Sequence, residues 1–418
     1  DRAADTFSQV IAEHGPDAVA FYVSGQLLTE DYYAFNKLAK ALVGTANIDT
    51  NSRLCMSSAV TGYQQTLGAD APPCSYEDLD HAQVVLVAGS NMAHAHPVLF
   101  RRLERAREAN PAMKVIVVDP RRTETARFAD LHLAILPGTD VALFHGMLHA
   151  MLWEDLVDRA YVTAHVEGFD ELRAAVRDWT PQAAADVCGV KAEDIVAAAR
   201  AFAKSPASLS LYCQGLNQSS SGTAKNAALI NLHLATGQIG KPGAGPFSLT
   251  GQPNAMGGRE VGGLATSLAA HRSLASAGDR AEMMLLWGVD RVPSAAGKTA
   301  VEMFRALESG EIKAIWIACT NPAQSLPDLP AVRAALAKAE FVVLQEAYAD
   351  TETAPFADVL LPATTWGEKD GTVTNSERRI SRVRAAVAKP FEARHDWEIA
   401  VDFARRLEAR IRPGATPL

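Results

Sequence analysis

Short runs of consecutive apolar residues recur along the chain and predict buried strands. Apolar residues occupy consecutive positions in AVAFYVSG (18–25), QVVLVAGS (83–90) and KVIVVDPRR (114–122). A strand that is apolar at consecutive positions is typical of a sheet covered on both faces. The same pattern predicts strands in LHLAILPG (131–138), SLSLYCQG (208–215), MMLLWG (283–288), KAIWIAC (313–319), FVVLQEA (341–347) and DVLLPA (358–363).

Helical patterns lie between many of these strands, and a glycine-rich stretch interrupts them. Strands that alternate with helices indicate β-α-β units and parallel sheets. Residues 240–263 contain eight glycines and three prolines, which predicts a long irregular loop of the kind that is usually functional. The helical segments are EDYYAFNKLAKALV (30–43), VLFRRLERAREA (98–109), TDVALFHGMLHAML (139–152) and AEDIVAAARAFAK (192–204).

Nearly every predicted strand ends in a glycine, a carboxylate or an amide. In open α/β sheets the ligand crevice lies beyond the carboxyl ends of the strands, so we expect the site residues there. These strand ends are Gly25, Gly89, Asp119, Gly138, Gly215, Gly288, Asn321 and Glu346.

Composition narrows the class of protein. The 418 residues carry a formal net charge of -8, which argues against a nucleic-acid partner because such affinity comes mainly from Lys and Arg. No apolar run approaches the roughly 20 residues of a membrane span, so we expect a soluble protein. The chain begins at Asp1 rather than Met, which leaves room for processing or a missing N-terminal segment. The five cysteines form no C-x-x-C pair, so no zinc ribbon or iron–sulfur cluster is encoded within these residues.

Two neighbouring strand ends could bind an anion. The strand in VLVAGSNMAHAHP (85–97) runs through Gly89, Ser90 and Asn91 into a helix, where backbone N–H groups can face an anion. The alternative is a turn in which Ser90 or Asn91 caps the helix. After the next strand, Arg121 and Arg122 either clamp a phosphate or remain solvated.

The acidic and amide strand ends allow two interpretations each. Asp119 resembles a ribose-binding acid, although no G-x-G-x-x-G precedes it. Asp140 is either a helix cap or a carboxylate that reads the N1–H and amine of guanine. Gln214, Gln218 and Asn321 either finish turns or bind a heterocyclic ring, and Lys369 lies in a polar loop.

Cys55, in NSRLCMSSAV (51–60), stands in a polar segment two residues from Arg53. A lone cysteine is usually buried as a small hydrophobe. A neighbouring arginine favours the thiolate that nucleophilic attack or metal ligation requires. Local sequence leaves burial, nucleophile and ligand open.

Together these motifs resemble the molybdopterin oxidoreductases of the dimethyl sulfoxide reductase family. The matching segments include NIDTNSRLCMSSAV, GSNMAHAHP, VDPRR, CTNPAQS and WGEKDGTVTNSERR, in order along the chain. Within the family, the resemblance is closest to bacterial nitrate reductase catalytic subunits of the assimilatory branch. It implies a molybdenum ion held by two molybdopterin guanine dinucleotides and one protein ligand, which matches Cys55; soft thiolate suits a metal in a sulfur-rich sphere.

The resemblance also assigns cofactor contacts to many of the strand ends. Asp140 and Asp396 are the candidates for reading the two guanines, while backbone amides, Arg and Lys would bind the pyrophosphates. The implied contacts are Gln26, Asn51, Gly89, Ser90, Asn91, Met92, His94, Asp119, Pro120, Arg121, Arg122, Gly138, Asp140, Gln214, Gln218, Asn321, Gln345, Glu346, Lys369 and Asp396.

The implied reaction is the reduction of nitrate to nitrite by oxygen-atom transfer. Related formate dehydrogenases carry a histidine after the metal ligand, whereas this chain has Met56, which favours nitrate over formate. Arg259 matches an arginine that would attract the anion; its alternative is a structural salt bridge. Formate oxidation and a non-catalytic module remain the competing hypotheses.

The resemblance implies an α/β fold with two doubly wound, mainly parallel-sheet domains. Residues 1–51 with 281–418 would form one molybdopterin-binding domain, and 52–280 an inserted Rossmann-like one. A [4Fe–4S] segment and a C-terminal domain found in such enzymes are absent from these residues, so we expect a fragment that is inactive alone. The implied electron donor is an NADH-dependent reductase, ferredoxin or flavodoxin. The implied compartment is cytoplasmic, or periplasmic if a twin-arginine signal precedes Asp1.

Overall fold

The computed structural model describes residues 1–414 and 417. Twelve strands are found in this part of the chain: β1 Val19–Val23, β2 Ile48–Thr50, β3 Val84–Ala88, β4 Lys114–Val118, β5 Leu131–Leu133, β6 Ser208–Tyr212, β7 Gly245–Ser248, β8 Ala314–Ala318, β9 Phe341–Glu346, β10 Val359–Pro362, β11 Gly371–Thr374 and β12 Ile380–Val383.

The helices in the described residues alternate with these strands. They are α1 Arg2–His14, α2 Thr29–Lys37, α3 Ser52–Leu67, α4 Asp78–His81, α5 Met92–Ala95, α6 Pro97–Ala109, α7 Glu124–Arg127, α8 Asp140–Trp153, α9 Arg159–His165, α10 Phe169–Ala175, α11 Pro181–Cys188, α12 Ala192–Lys204, α13 Gln214–Asn217, α14 Gly222–Ala235, α15 Ala255–Glu260, α16 Ala277–Trp287, α17 Ala300–Ser309, α18 Pro322–Ser325, α19 Leu329–Lys338 and α20 Asp396–Ile411; a π-helix spans Leu38–Val43, and short 3-10 turns lie at Pro16–Ala18, Ala269–His271, Ala354–Phe356 and Trp366–Glu368.

The chain divides into two compact units. Unit 1 contains Asp1–Leu54 and Gln252–Leu418, and unit 2 is the continuous segment Cys55–Gly251. The sequence predicts the return to the first domain at 281, whereas the structure places it at Gln252. The difference arises because the stretch after Gln252 is bonded into unit 1: Asn254 donates to the Leu27 carbonyl at 2.8 Å and accepts from the Thr374 N–H at 2.7 Å.

Unit 1 is built on a parallel sheet in the order β10-β9-β8-β1-β2. Phe21 pairs with Trp316 in register, and both face a core formed with α1, α2 and α20. Tyr22 and Ile317 face the opposite core, formed with α17 and α19. Burial of both faces explains why the strands are apolar at consecutive positions.

Unit 2 repeats this arrangement with the order β5-β4-β3-β6-β7, again parallel. Leu86 and Val118 face a core with α8, α12 and α14, while Val87 and Leu211 face a core on the other side. In each sheet the strand order reverses next to the first strand, at β1/β8 and at β3/β6. The predicted doubly wound α/β fold is confirmed.

Two sequence predictions of local structure are wrong. MMLLWG is not a strand but the end of α16: Ser276 caps the helix, Gly288 ends it in the left-handed conformation, and Met283 and Trp287, one turn apart, are buried. Leu285 is 87% exposed, so this apolar run is covered on one side only. The glycine-rich stretch also contains β7 and α15, whose Gly-Pro and Gly-Gly pairs hide the periodicity.

Other differences concern the ends of the sheets. β10 is an edge strand whose residues alternate between half-buried and exposed, so its apolar run does not indicate burial on both faces. Residues around Lys369, predicted as a polar loop, lead into the antiparallel hairpin of β11 and β12. In the described residues, no helix combines the length and apolar character needed to cross a membrane.

Candidate functional site

Two glycines meet at the point of strand reversal in unit 2. Gly89 follows β3 with φ +55°, and Gly215 follows β6. The Gly215 N–H donates to the Gly89 carbonyl at 3.0 Å. A Cβ atom on Gly215 would lie 2.5 Å from the Gly89 Cα, closer than real Cβ atoms approach. The open strand ends therefore form a backbone-lined cradle where α/β proteins bind ligands.

Cys55 lies in the first turns of α3 and is half-buried. Its sulfur accepts a hydrogen bond from Nε2 of Gln214 at 2.9 Å, so two predicted site residues meet in unit 2. The neighbouring Arg53 pairs its guanidinium with the buried Asp49 at 3.0 Å.

Close helix packing fixes the position of α3 against α14. A Cβ on Gly62 would lie 2.6 Å from Asn226 Cβ, and one on Gly222 would lie 2.4 Å from Ser58 Oγ. Only glycine allows the two helices to approach this closely at both points. The helix that carries Cys55 is therefore held in a defined register.

The turn after β3 combines exposed and buried polar groups. Ser90 is 4% exposed, and its Oγ has no hydrogen-bond partner among the described residues. Asn91 accepts from Thr125 Oγ1 at 2.9 Å, and His94 lies 3.2 Å from Glu124. Buried hydroxyls are normally hydrogen-bonded, so Ser90 fits a ligand at this turn, while Met92 is buried in the core.

After β4, the backbone turns so that charged groups reach solvent. The Asp119 carboxylate accepts the Arg121 N–H at 2.8 Å, closing a short turn through Pro120. Arg121 and Arg122 are exposed at its tip, where they are free to reach a phosphate. Gly138, exposed with φ +91°, ends the segment after β5.

Asp140 forms a buried ion pair that sequence reasoning missed. It is the first residue of α8 and is 6% exposed. Lys225 Nζ lies 2.7 Å from its Oδ2 and 3.4 Å from the Gly215 carbonyl. The pair links the helix start to the glycine cradle, and the predicted N-cap role belongs to the position before Asp140. A lysine inside the apolar helix AKNAALINL was the signal available in the sequence.

The corresponding strand ends of unit 1 are also tightly bonded. The Asn51 side-chain oxygen accepts the Gly25 N–H at 2.6 Å and Gln252 Nε2 at 2.9 Å. Gln26 Oε1 accepts from Ser24 Oγ at 2.8 Å, which leaves the Gln26 amide nitrogen available as a donor. Sequence reasoning missed Gln252, which lies in the glycine-rich stretch.

Asp396 is the centre of a polar cluster in which Gln345 and Lys369 are also buried and Cys319 is half-buried. Its Oδ2 pairs with Lys369, while Oδ1 accepts from Gln345 at 2.6 Å and from the Cys319 thiol at 2.9 Å. Trp316 Nε1 donates to the Gln345 carboxamide at 3.2 Å. Three predicted contacts, Gln345, Lys369 and Asp396, are thus brought together, and Cys319 joins them unforeseen.

Burial changes the proton affinity of the groups around this cluster. Burial and the nearby Asp396 carboxylate raise the pKa of Asp31 to about 7. Burial also raises the pKa of Glu346 and, much further, that of the Cys319 thiol. Asp31 still accepts the N–H groups of Leu28 and Trp397, both at 2.9 Å, so it joins the starts of α2 and α20.

The remaining predicted residues lie in separate places. Asn321 organises the loop after β8, accepting from Thr353 Oγ1 at 2.7 Å. Gln218 is exposed at the end of α13. Arg259 is 7% exposed in unit 1, and its Nη2 lies 3.2 Å from Met256 Sδ. Met56, the neighbour of Cys55, is 3% exposed.

Lys40 supports the segment that carries Arg259. This fully buried lysine of the π-helix donates to the carbonyls of Gly262, Leu264 and Ser267 at 2.7, 2.9 and 2.5 Å. Three carbonyl acceptors match the three donors of an ammonium group. Sequence reasoning missed Lys40, since it looks like a surface lysine in an amphipathic helix.

The side chains that could ligate a metal limit how this chain could bind one. The described residues contain no group of three or more His, Cys, Asp or Glu side chains that could hold a metal ion. A metal at Cys55 would therefore need most of its ligands from a bound cofactor. The unpartnered Ser90 hydroxyl and the glycine cradle fit a phosphate-bearing cofactor of this kind.

Comparison with known proteins identifies the family. Residues 1–406 match the family model described as Molybdopterin oxidoreductase. The chain is 52% identical over 408 residues to a nitrate reductase of Klebsiella oxytoca, covering 97% of this chain and 46% of that protein. It is 38% identical to the assimilatory nitrate reductase catalytic subunit of Bacillus subtilis, and the match covers 96% of this chain and 57% of that protein.

Two further similarities broaden the comparison. An F420-dependent formate dehydrogenase subunit alpha of Methanocaldococcus jannaschii is 38% identical, with 96% of this chain and 59% of that protein covered. The fold matches that of acetylene hydratase from Pelobacter acetylenicus with a TM-score of 0.78 at 22% identity, over 98% and 57% of the two chains. The chain thus spans about half the length of the relatives it matches. The family model covers nearly the whole chain, so this chain belongs to the molybdopterin oxidoreductase family.

Proposed function

We propose that the protein containing this chain reduces nitrate to nitrite at a molybdenum ion bound by Cys55. The observation that carries the proposal is the hydrogen bond from Gln214 to the Cys55 sulfur, 2.9 Å long, beside the strand-reversal point of unit 2. The similarity to nitrate reductases, 52% in the Klebsiella protein, supports nitrate as the substrate.

The cofactor would be a bis(molybdopterin guanine dinucleotide). When bound, it would supply two-electron redox chemistry and accept the oxygen atom that nitrate loses. The glycine cradle would let a pyrophosphate approach the backbone closely. The Ser90 hydroxyl would bond it, and the exposed Arg121 and Arg122 would add charge-assisted bonds. Gln26 would add a side-chain amide donor in unit 1.

Asp140 is the better candidate for reading guanine. Guanine presents two donors, and a carboxylate offers about four acceptor positions. Asp140 Oδ2 pairs with Lys225, which leaves acceptor capacity for the base. Lys369, Gln345 and Cys319 already use three positions of Asp396, so a second guanine there would have to displace one of them.

Arg259 would attract and orient the nitrate anion. Its guanidinium is nearly buried, and a buried charge attracts an anion more strongly than an exposed one. Lys40 would keep the segment after Arg259 in place through its three carbonyl contacts. Met56 would provide an apolar, non-titrating neighbour to the sulfur, where a histidine could exchange protons.

The electron donor would be an NADH-dependent reductase, ferredoxin or flavodoxin, and the role assimilatory and cytoplasmic. Nitrate reduction consumes two electrons and two protons for each nitrite and water formed, so a donor is required.

The test is nitrite formation from nitrate with reduced viologen dye, using the full-length protein. We expect Cys55→Ala to abolish both turnover and molybdenum binding, while Cys74→Ala, which removes a buried thiol elsewhere in unit 2, keeps both. Retained turnover in Cys55→Ala would disprove the ligand assignment.

Formate oxidation is the second candidate, favoured by the 38% identity to a formate dehydrogenase subunit. Turnover of formate and of nitrate by the same preparation separates the two. Dominant formate turnover would overturn the interpretation of Met56, and a metal-free full-length protein would favour a non-catalytic module.

A further inference from the structure

Gln214 holds a defined position beside the sulfur of Cys55. It is the first residue of α13, and Cys213 alone separates it from the end of β6. Its carbonyl accepts the Gln218 N–H at 2.9 Å, and the next residue, Gly215, is bonded to Gly89 at 3.0 Å. The backbone of Gln214 is thus fixed by the strand-reversal point, and α3 is fixed by its glycine contacts with α14.

The orientation of the Gln214 carboxamide follows from the chemistry of its neighbour. A metal-bound cysteine sulfur accepts hydrogen bonds but donates none, so in the proposed site the amide nitrogen must face it. The structure has this arrangement, with Nε2 at 2.9 Å from Sγ. The carboxamide oxygen is buried and has no partner among the described residues. The Gln214 side chain therefore donates a hydrogen bond to the sulfur while its carboxamide oxygen accepts none from the described residues.

We propose that Gln214 is a positioning residue for the metal ligand, which orients the Cys55 sulfur and raises the reduction potential of the molybdenum bound to it. The inference rests on the proposed function, since it assumes that Cys55 ligates the metal. It assigns to Gln214 a role toward the sulfur, beyond contact with the dinucleotide.

The direction of the effect follows from electrostatics. An N–H group aimed at a ligating sulfur stabilises negative charge on it and weakens its donation to the metal. A metal that receives less electron density takes up an electron more readily, as hydrogen bonds to the sulfurs of iron–sulfur clusters illustrate. Loss of this donor should make the molybdenum harder to reduce.

The test compares Gln214→Met with wild type in the full-length holoenzyme. Methionine has a similar volume but no N–H donor. The readout is the Mo(V) signal in electron paramagnetic resonance, followed across a redox titration. We expect a more negative midpoint in Gln214→Met; a tenfold shift in the ratio of oxidised to reduced metal at fixed potential corresponds to 59 mV for one electron.

The matched control is Gln64→Met, which changes an exposed glutamine on α3. Its midpoint should equal that of wild type. Equal midpoints in all three proteins would overturn the inference. If Gln214→Met fails to retain molybdenum while its unfolding temperature is unchanged, the positioning role is supported; metal loss with a lowered unfolding temperature would make Gln214 merely structural.

The inference and the proposed function fail in different ways. A wild-type protein that lacks molybdenum or forms no nitrite contradicts the proposed function. A wild-type protein that has both, with an unchanged midpoint in Gln214→Met, contradicts only the role of Gln214.

Discussion

Gly89 and Gly215 pack backbone against backbone where β3 and β6 end, joined by an N–H···O bond of 3.0 Å. A methyl group on Gly215 would meet the Gly89 Cα at 2.5 Å and its carbonyl oxygen at 2.9 Å. The two turns that form the cradle therefore depend on the absence of a side chain at both positions.

Gly215→Ala should destabilise the protein by about 2 kcal/mol, because backbone atoms must move to accept the methyl group. Urea unfolding of the variant measures the loss. Gly251→Ala is the control, since a Cβ there meets no atom within 4 Å, and its stability should stay within about 0.5 kcal/mol of wild type. Equal stabilities of both variants would refute the close approach.

Lys40→Met should cost at least about 3 kcal/mol, because it leaves one buried and two partly buried carbonyls without their donor. Lys37→Met, on the preceding helix α2 and partly exposed, should change the stability by less than about 1 kcal/mol. The free energy of unfolding in urea tests both. A small loss in Lys40→Met would show that the three carbonyls find other donors.

His233 should make the protein sensitive to acid. Burial lowers its pKa to about 3, whereas an exposed histidine titrates near 6.5. The unfolded chain therefore binds a proton that the folded protein resists, and stability falls as the pH drops from 6.5 towards 3. Between these values His233 should lower the free energy of unfolding by up to about 1.4 kcal/mol for each pH unit of acidification.

His233→Gln should flatten this part of the pH profile, measured by urea unfolding at several pH values. Glutamine can still bond Ser210 Oγ and the Gln238 carbonyl, which His233 contacts at 2.7 and 3.2 Å. His81→Gln, at an exposed position, should keep the wild-type slope. An unchanged slope in His233→Gln would assign the acid sensitivity to other groups.

Asp140→Asn should lower the guanine nucleotide content of the full-length protein roughly tenfold or more at limiting cofactor, since a bond to a charged acceptor contributes about 1.5–3 kcal/mol. Guanine released by acid treatment, quantified against protein, is the measurement. Lys225→Met is the comparison, because it breaks the same ion pair but retains the carboxylate. Equal nucleotide loss in both variants would mean that the pair matters only for folding.

Much of the fold was predictable because buried strands appear in the sequence as runs of apolar residues. The strands β1, β3, β6 and β8 are buried at every position, and runs of apolar residues show this directly. MMLLWG misled because an apolar run is also compatible with a helix buried on one side, and its caps, Ser276 and Gly288, are weaker signals than its hydrophobicity.

The sequence named the candidate site residues but not the contacts between them. The strand-end rule and the resemblance together named Cys55, Gln214, Asp140 and Asp396. Gln214 bonds Cys55 across 159 residues, and Asp140 pairs with Lys225. No periodic pattern in the sequence indicates either contact.

The sequence by itself determined the alternation of strands and helices, the parallel sheets and the family, because these follow from local hydrophobic patterns and ordered motifs. Only the tertiary structure decided which polar side chains meet. Lys40, more than 220 residues from the carbonyls it binds, looks like any surface lysine until the chain folds. Burial then requires a partner for each polar group, and only the folded chain shows which distant residue provides it.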